Sequence, residues 1–413
     1  MIKRFLFEDL KAHLEKKEIT FIVGPRQAGK TFLMLLLKDY LDRMGEKTIF
    51  FNLDIEMDKI HFNSQSALLD KIRLEIGRDK GYIFIDEIQR KEDAGIFLKG
   101  IYDMNLPYKF IVSGSGSVDL KSRIHESLAG RKRIFELTTV SFEEFVNFKT
   151  DYRYEDRLMD FFKIEREKGY SLLEEYLNFG GYPRVILEET LSEKIKIISE
   201  VYQSYIEKDV TYLLMVKKTD VFSNLVKLMS SHIGNIVNYT EIASTLNLSF
   251  QTVKEYLWYL EKTFIIQKIT PYFRNIRKEI RKSPVYYFYD IGLRNFATGN
   301  FGNVENMGFL FQNFVYNILR DKIRWTPSKI YFWRTEDKAE VDFVIDHDGV
   351  IPVEVKYQRM KKPKITRSLR SFINRYKPER VFVVNLEMEK KIGLNRTEIY
   401  FIPFYKLLDK KLL

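Results

Sequence analysis

Ile19-Thr20-Phe21-Ile22-Val23-Gly24-Pro25-Arg26-Gln27-Ala28-Gly29-Lys30-Thr31 decides how the chain is read. Its first five residues are apolar or β-branched, which predicts a buried strand. A helical pattern runs from Phe32 to Leu41 directly after it. Strand, glycine loop and helix are the context a phosphate-binding loop requires. Gly24 and Gly29 let the backbone through Pro25, Arg26, Gln27 and Ala28 turn its N–H groups inward onto phosphate oxygens. The following helix adds the positive end of its dipole. Lys30 supplies a point charge to the β- and γ-phosphates, and Thr31 a hydroxyl to Mg²⁺. The expected ligands are therefore ATP and Mg²⁺.

A second apolar run, Gly81-Tyr82-Ile83-Phe84-Ile85, ends in Asp86-Glu87. A strand closing on paired acids fits the other half of such a site. Asp86 would hold Mg²⁺ through its water shell, and Glu87 would take the proton of the attacking water. Lys109-Phe110-Ile111-Val112 predicts another strand, followed by Ser113-Gly114-Ser115-Gly116-Ser117. Ser113 would lie beside the γ-phosphate, or simply start a small-residue turn. With Ile49–Leu53 and Ile134–Leu137, five parallel strands with intervening helices predict an α/β fold with a doubly wound P-loop sheet.

Composition limits the rest. At 413 residues the chain predicts two to four domains. Without cysteine there is no disulfide, iron–sulfur or thiolate zinc chemistry. The five histidines are scattered, so a metal would be hard and oxygen-bound. No apolar run approaches the roughly 18 residues that span a bilayer, and Met1–Phe5 lacks a signal-peptide pattern. No membrane partner and a cytoplasmic location are expected. Lys plus Arg number 68 against 57 acids, and the charge of +11 favours a polyanion such as nucleic acid, DNA foremost.

Residues from about 150 to 215 predict helices closing as a lid over the nucleotide. Tyr239–Leu246 and Phe250–Lys262 predict two helices at a tight turn, followed by a strand over Phe264–Ile269. That order suggests a winged helix-turn-helix. Arg274, Arg277, Lys278, Arg281 and Lys282 add a basic stretch for phosphates; packing or partner binding is the other reading. Further on, Glu340–Ile345 and Val350–Lys356 predict a hairpin around Asp346-His347-Asp348-Gly349. Alternation puts Glu354 and Lys356 on one face, within reach of Asp342 on the neighbouring strand.

Several segments strung along the chain carry a family resemblance: Gly24–Thr31, Ile85-Asp86-Glu87-Ile88-Gln89, Ser127-Leu128-Ala129-Gly130-Arg131, Ser141-Phe142-Glu143-Glu144-Phe145, Gly180-Gly181-Tyr182-Pro183 and Tyr286–Leu293. The chain resembles the AAA+ superfamily, and within it archaeal and bacterial ATPases with a nuclease-like C-terminal domain. The resemblance implies ATP hydrolysis, or an ATP-driven switch, coupled to nucleic acid or signalling. Asp342, Glu354 and Lys356 resemble the PD-(D/E)XK core. There the two acids would bind Mg²⁺ and Lys356 would orient the attacking water. Gln312 stands where related chains carry glutamate. Arg131 would reach a γ-phosphate in cis or in a neighbouring subunit of a homo-oligomer, or form a basic rim; Arg184 is a further sensor candidate. The expected organisation is a P-loop ATPase domain over 1–147, a helical lid over 148–215, a winged-helix domain over 216–300 and a restriction-endonuclease-like α/β domain over 301–413.

Overall fold

The structure is a computed structural model that describes residues 1–115, 127–205, 219–273, 282–346 and 348–412. Gly116, Ser117, Arg274, Arg277, Lys278, Arg281 and His347 lie outside the described residues.

The first sheet contains β1 (Ile19–Gly24), β2 (Thr48–Asn52), β3 (Gly81–Asp86), β4 (Tyr108–Ser115) and β5 (Lys132–Glu136). Their order is β2-β3-β4-β1-β5, and every pairing is parallel. Every residue of β1 and β3 is buried, as strands covered on both faces must be. Ile22, Phe84 and Phe135 meet Leu33, Met34 and Leu37 of the Lys30–Arg43 helix on one face. Phe21, Val23 and Ile85 meet Leu68, Ile72 and Leu98 on the other. This is the doubly wound arrangement expected. Because β4 lies between β1 and β3, the carboxyl ends bearing Gly24, Ser113 and Asp86 share one edge of the sheet.

A second, mixed sheet has the order β12-β13-β11-β10-β9-β8. Its strands are β8 (Lys329–Arg334), β9 (Glu340–Asp346), β10 (Val350–Val355), β11 (Arg380–Asn385), β12 (Lys390–Leu394) and β13 (Thr397–Pro403). The β9–β10 pair is the antiparallel hairpin predicted at Asp346–Gly349. The Met307–Ile323 helix covers one face of this sheet through Phe311 and Phe314. The Arg367–Tyr376 helix covers the other, setting Leu369 and Phe372 against Trp333 and Val344.

Between the sheets lie mainly helices, among them Arg166–Phe179, Leu191–Ser204, Thr219–Ser231, Tyr239–Leu246 and Phe250–Lys262. A two-stranded antiparallel sheet joins β6 (Ile266–Ile269) to β7 (Val285–Phe288). The strand predicted from Phe264 begins at Ile266 instead. Phe264 adopts φ +63°, and the Ile265 N–H still bonds the Leu260 carbonyl as part of the helix end. One continuous core runs from Val140 and Phe142 through these helices to Phe404. The Phe142 ring lies 5.0 Å from Phe314 and 6.0 Å from Phe404, centroid to centroid. The end of the first sheet, the helical middle and one face of the second sheet thus share aromatic side chains.

Two glycine motifs interlock at the base of this core. A Cβ at Gly180 (φ +73°) would lie 2.4 Å from the Gly292 nitrogen, and one at Gly292 would lie 2.1 Å from the Phe179 carbonyl oxygen. The buried Asp290 carboxylate accepts from Gly181 N and Leu293 N, each at 2.8 Å. Val140 N then bonds the Gly181 carbonyl at 2.8 Å, which ties the joint to the end of the first domain.

Candidate nucleotide site and a second carboxylate cleft

The loop from Gly24 to Thr31 connects the carboxyl end of β1 to a helix capped by Gly29, which takes the left-handed conformation at φ +96°. Gly24 is required for a separate reason: a Cβ there would lie 2.0 Å from the Leu137 carbonyl oxygen. The Lys30 ammonium donates to the carbonyls of Gly24 and Pro25 at 3.0 and 2.9 Å. It is thereby held in the mouth of the loop, where a phosphate would compete for it.

Thr31 Oγ1 donates to Asp86 Oδ2 at 2.6 Å. The Ser113 hydroxyl donates to the other Asp86 oxygen and accepts from the Glu87 N–H at 3.3 Å. A hydroxyl and a carboxylate oxygen side by side are the donor set Mg²⁺ takes from a protein while keeping its waters, so these residues fit that ion. Burial raises the pKa of Glu87; Lys30 and Arg26 oppose the shift and Asp86 adds to it. Glu87 sits at φ +56° and accepts a hydrogen bond from the Gln89 amide.

The structure therefore brings Lys30, Thr31, Asp86, Glu87 and Ser113 together. It does not bring Arg131. That residue lies at the amino edge of the sheet, where its carbonyl accepts from Ile19 N at 2.9 Å. Gly24 is five residues further along β1, about 17 Å away at roughly 3.3 Å per residue. Its guanidinium instead pairs with Asp103 at 2.8 Å. Arg184 does reach the loop, donating to Gln27 Oε1 at 3.3 Å while pairing with Glu200 at 3.0 Å.

Arg4 was not legible as part of the site. Its guanidinium donates to the carbonyls of Ala28 (3.0 Å), Thr138 (2.7 Å) and Thr139 (3.2 Å), and to Glu144 Oε2 (3.2 Å). Glu144 also completes a capping box with Ser141, which gives the Ser141–Phe145 motif a structural role. Only the acidic member of that box hinted, in sequence, at a cationic partner.

In the second sheet, Asp342 and Glu354 come together across β9 and β10. Asp342 accepts from the Gln312 amide at 2.7 Å and from Val355 N at 2.7 Å. Glu354, 5% exposed, accepts from Lys356 Nζ at 2.8 Å and Thr366 Oγ1 at 3.0 Å. Burial pushes Asp342 up to about 7, against its bond from Val355 and the Lys356 charge. Burial alone would lower Lys356, but the Glu354 carboxylate outweighs it and its pKa is raised. Gln312, Asp342 and Lys356 line an open cleft of about 480 Å³. Among the described residues no group of three metal-ligating side chains forms. Two carboxylates still fit Mg²⁺, which takes one or two from protein and completes its shell with water and phosphate.

Comparison with known proteins matches three segments of the chain. Residues 16–146 match the family model of an AAA domain. Residues 170–303 and 307–407 match two domains of unknown function, DUF8612 and DUF4143. An uncharacterised protein of Mycobacterium tuberculosis is 26% identical over 368 residues, covering 88% of this chain and 75% of its own length. One of Methanocaldococcus jannaschii is 25% identical over 415 residues, 96% of this chain and 90% of its own. Among solved structures, the Aeropyrum pernix Orc1 protein in complex with DNA covers 71% of this chain and 91% of its own at 11% identity, with a TM-score of 0.29. AMPPCP-bound DnaA from Aquifex aeolicus covers 63% and 88% at 17% identity, with a TM-score of 0.25. No helix among the described residues is long and apolar enough to cross a membrane. Residues 16–146, the segment that matches the AAA domain model, carry the parallel five-stranded sheet, ahead of a separate mixed sheet.

Proposed function

We propose that the chain binds and hydrolyses ATP at the carboxyl edge of its first sheet and uses the cycle to act on nucleic acid. The observation that carries this reading is the Lys30–Thr31–Asp86–Ser113–Glu87 constellation built around one loop. Mg²⁺ held by Thr31 and Asp86 would neutralise charge on the phosphates. Lys30, released from the Gly24 and Pro25 carbonyls, draws the γ-phosphate into the loop. Glu87, its pKa raised by burial, orients the attacking water and receives its proton. Ser113 holds Asp86 and the Glu87 backbone in register. Arg131 stands too far from this loop to act in cis. In a homo-oligomer it would serve a neighbour's nucleotide.

The second cleft supports a Mg²⁺-dependent phosphodiesterase. Helix Met307–Ile323 and helix Arg367–Tyr376 flank the antiparallel strands β8, β9 and β10 that carry the two acids. Lys356 would orient water toward a phosphodiester beside Asp342 and Glu354. The helix pair Tyr239–Leu246 and Phe250–Lys262, with its two-stranded sheet, supports a winged-helix reading of the middle segment. One observation favours a second reading, a nucleotide-gated switch whose C-terminal domain does not cut. Where a third acid would complete the metal site, the Gln312 amide donates to Asp342.

Two measurements test the proposal. Wild type should bind ATP with Mg²⁺ and hydrolyse it, and Lys30→Ala should do neither. Undetectable ATP binding by wild type sinks the whole reading. With Mg²⁺ and plasmid, wild type should nick and Asp342→Ala should not; identical, inert behaviour of both leaves the switch.

A further inference from the structure

The second cleft has an aromatic wall that its carboxylates do not use. Phe309 is 42% exposed, although Leu310, Phe311 and Phe314 on the same helix are buried. It lines the cleft together with Tyr357, Lys356 and Gln312. Gly234, at φ +73°, backs the ring so closely that a Cβ there would lie 2.8 Å from it. Tyr357 is steadied by Phe311, their ring centroids 5.3 Å apart. An exposed aromatic held from behind is a flat apolar surface paid for in advance, and its cost is recovered when another ring stacks on it.

A basic run follows the cleft-lining residues Lys356 and Tyr357 in sequence. Lys361, Lys362, Lys364, Arg367 and Arg370 are all exposed, and no ion pair forms on any of them among the described residues. Glu379 is the single acid between Arg359 and Arg380. The middle of the run is tied to the site, because Thr366, which caps the Arg367–Tyr376 helix, bonds Glu354. Glu305 also lines the cleft, and its charge disfavours a phosphate at the Phe309 end. Together these features ask for a ligand with an uncharged flat ring at one end and repeated anions along the other. A duplex keeps its base faces stacked inside; an unpaired strand offers them.

We propose that the C-terminal cleft binds single-stranded nucleic acid, with one base stacked on Phe309 and the adjoining phosphates along Lys361–Arg370. This rests on the nucleic-acid reading above and adds to it the strand state and the residue that selects it.

The test is fluorescence anisotropy of the full chain, with EDTA present to block cleavage, on a labelled short single strand and the matched duplex. Wild type should prefer the single strand. Phe309→Ala should weaken single-strand binding about 5- to 100-fold and leave duplex affinity unchanged, while Phe309→Trp should restore it. The double variant Lys361→Glu, Lys364→Glu should weaken both substrates. Equal loss on both substrates in Phe309→Ala, or loss on neither, overturns the stacking proposal and leaves the nucleic-acid reading standing. Absence of binding to either nucleic acid by wild type overturns both.

Discussion

The Arg4 guanidinium stands 3.0 Å from the carbonyl oxygen of Ala28, so the first residues of the chain clamp the loop that would hold the phosphates. The same guanidinium bonds Thr138, Thr139 and Glu144, where the first sheet hands over to the shared core. Both partners of the Arg4–Glu144 pair are nearly buried, with side chains 8% and 6% exposed.

Removing one partner of such a pair strands the other charge. Arg4→Ala should lose about 3–5 kcal/mol in urea unfolding and weaken ATP binding in the same preparation. Arg4→Lys keeps the charge but cannot make the fork of bonds, and should fall between. An unfolding midpoint for Arg4→Ala equal to wild type would show that the clamp contributes nothing.

Ser113 touches both acids of the nucleotide site, donating to Asp86 and accepting from Glu87 N. Ser113→Ala should lower kcat for ATP hydrolysis by roughly tenfold with ATP affinity little changed. Glu87→Gln should be more severe, about 10²–10⁴-fold in kcat, again with binding retained. Steady-state kinetics beside equilibrium titration with a non-hydrolysable analogue separates the two quantities. A loss confined to affinity would assign Ser113 to binding alone.

The glycine joint makes a packing prediction. Gly180→Ala drives a methyl group into the Gly292 backbone, and Gly292→Ala drives one into the Phe179 carbonyl. Each should destabilise by about 3 kcal/mol. The pair need not be additive, since both act at one contact. Thermal melts of the single and double variants would reveal this, and near-wild-type melting of Gly180→Ala would contradict the joint.

His13 predicts a pH effect on stability. Burial and then the nearby Lys109 charge lower its pKa from 6.5 to about 4. Between those values the unfolded chain holds a proton that the folded chain does not. The contribution is therefore complete above pH 6.5 and is lost as pH falls toward 4, on the order of 3 kcal/mol. His13→Phe keeps a ring against Phe135 and should flatten that part of the stability profile. Parallel profiles for variant and wild type from pH 7 to 4 would rule out His13 as the source.

Gln312→Glu restores a carboxylate opposite Asp342. In the absence of metal it should destabilise the domain, because two acids would face each other where an amide now donates. With Mg²⁺ it should nick plasmid faster than wild type. Slower nicking with unchanged folding would mean that the amide itself serves the reaction.

Local pattern carried much of this. The strand, loop and helix around Gly24–Thr31 and the strand ending at Asp86 follow from short runs of residue types, and both appear within a residue or two of expectation. The β9–β10 hairpin and the approach of Asp342 to Glu354 follow from alternation and one Asp-Gly turn. Arg131 shows where such reasoning stops. Its neighbours in sequence suggest a phosphate contact, yet the direction of β5 places it at the amino edge of the sheet, beside Asp103.

By itself, the order of residues determined the parallel sheet and the chemistry offered at its carboxyl edge, since strand period, glycine turns and acid pairs act over a few neighbours. Only the tertiary structure decided that Arg4 grips Ala28, that Asp290 fastens Gly181, that Phe142 shares a core with Phe404, and that Phe309 stays exposed beside Lys356. Those relationships depend on which distant segments become neighbours, and that is set by packing the whole chain at once.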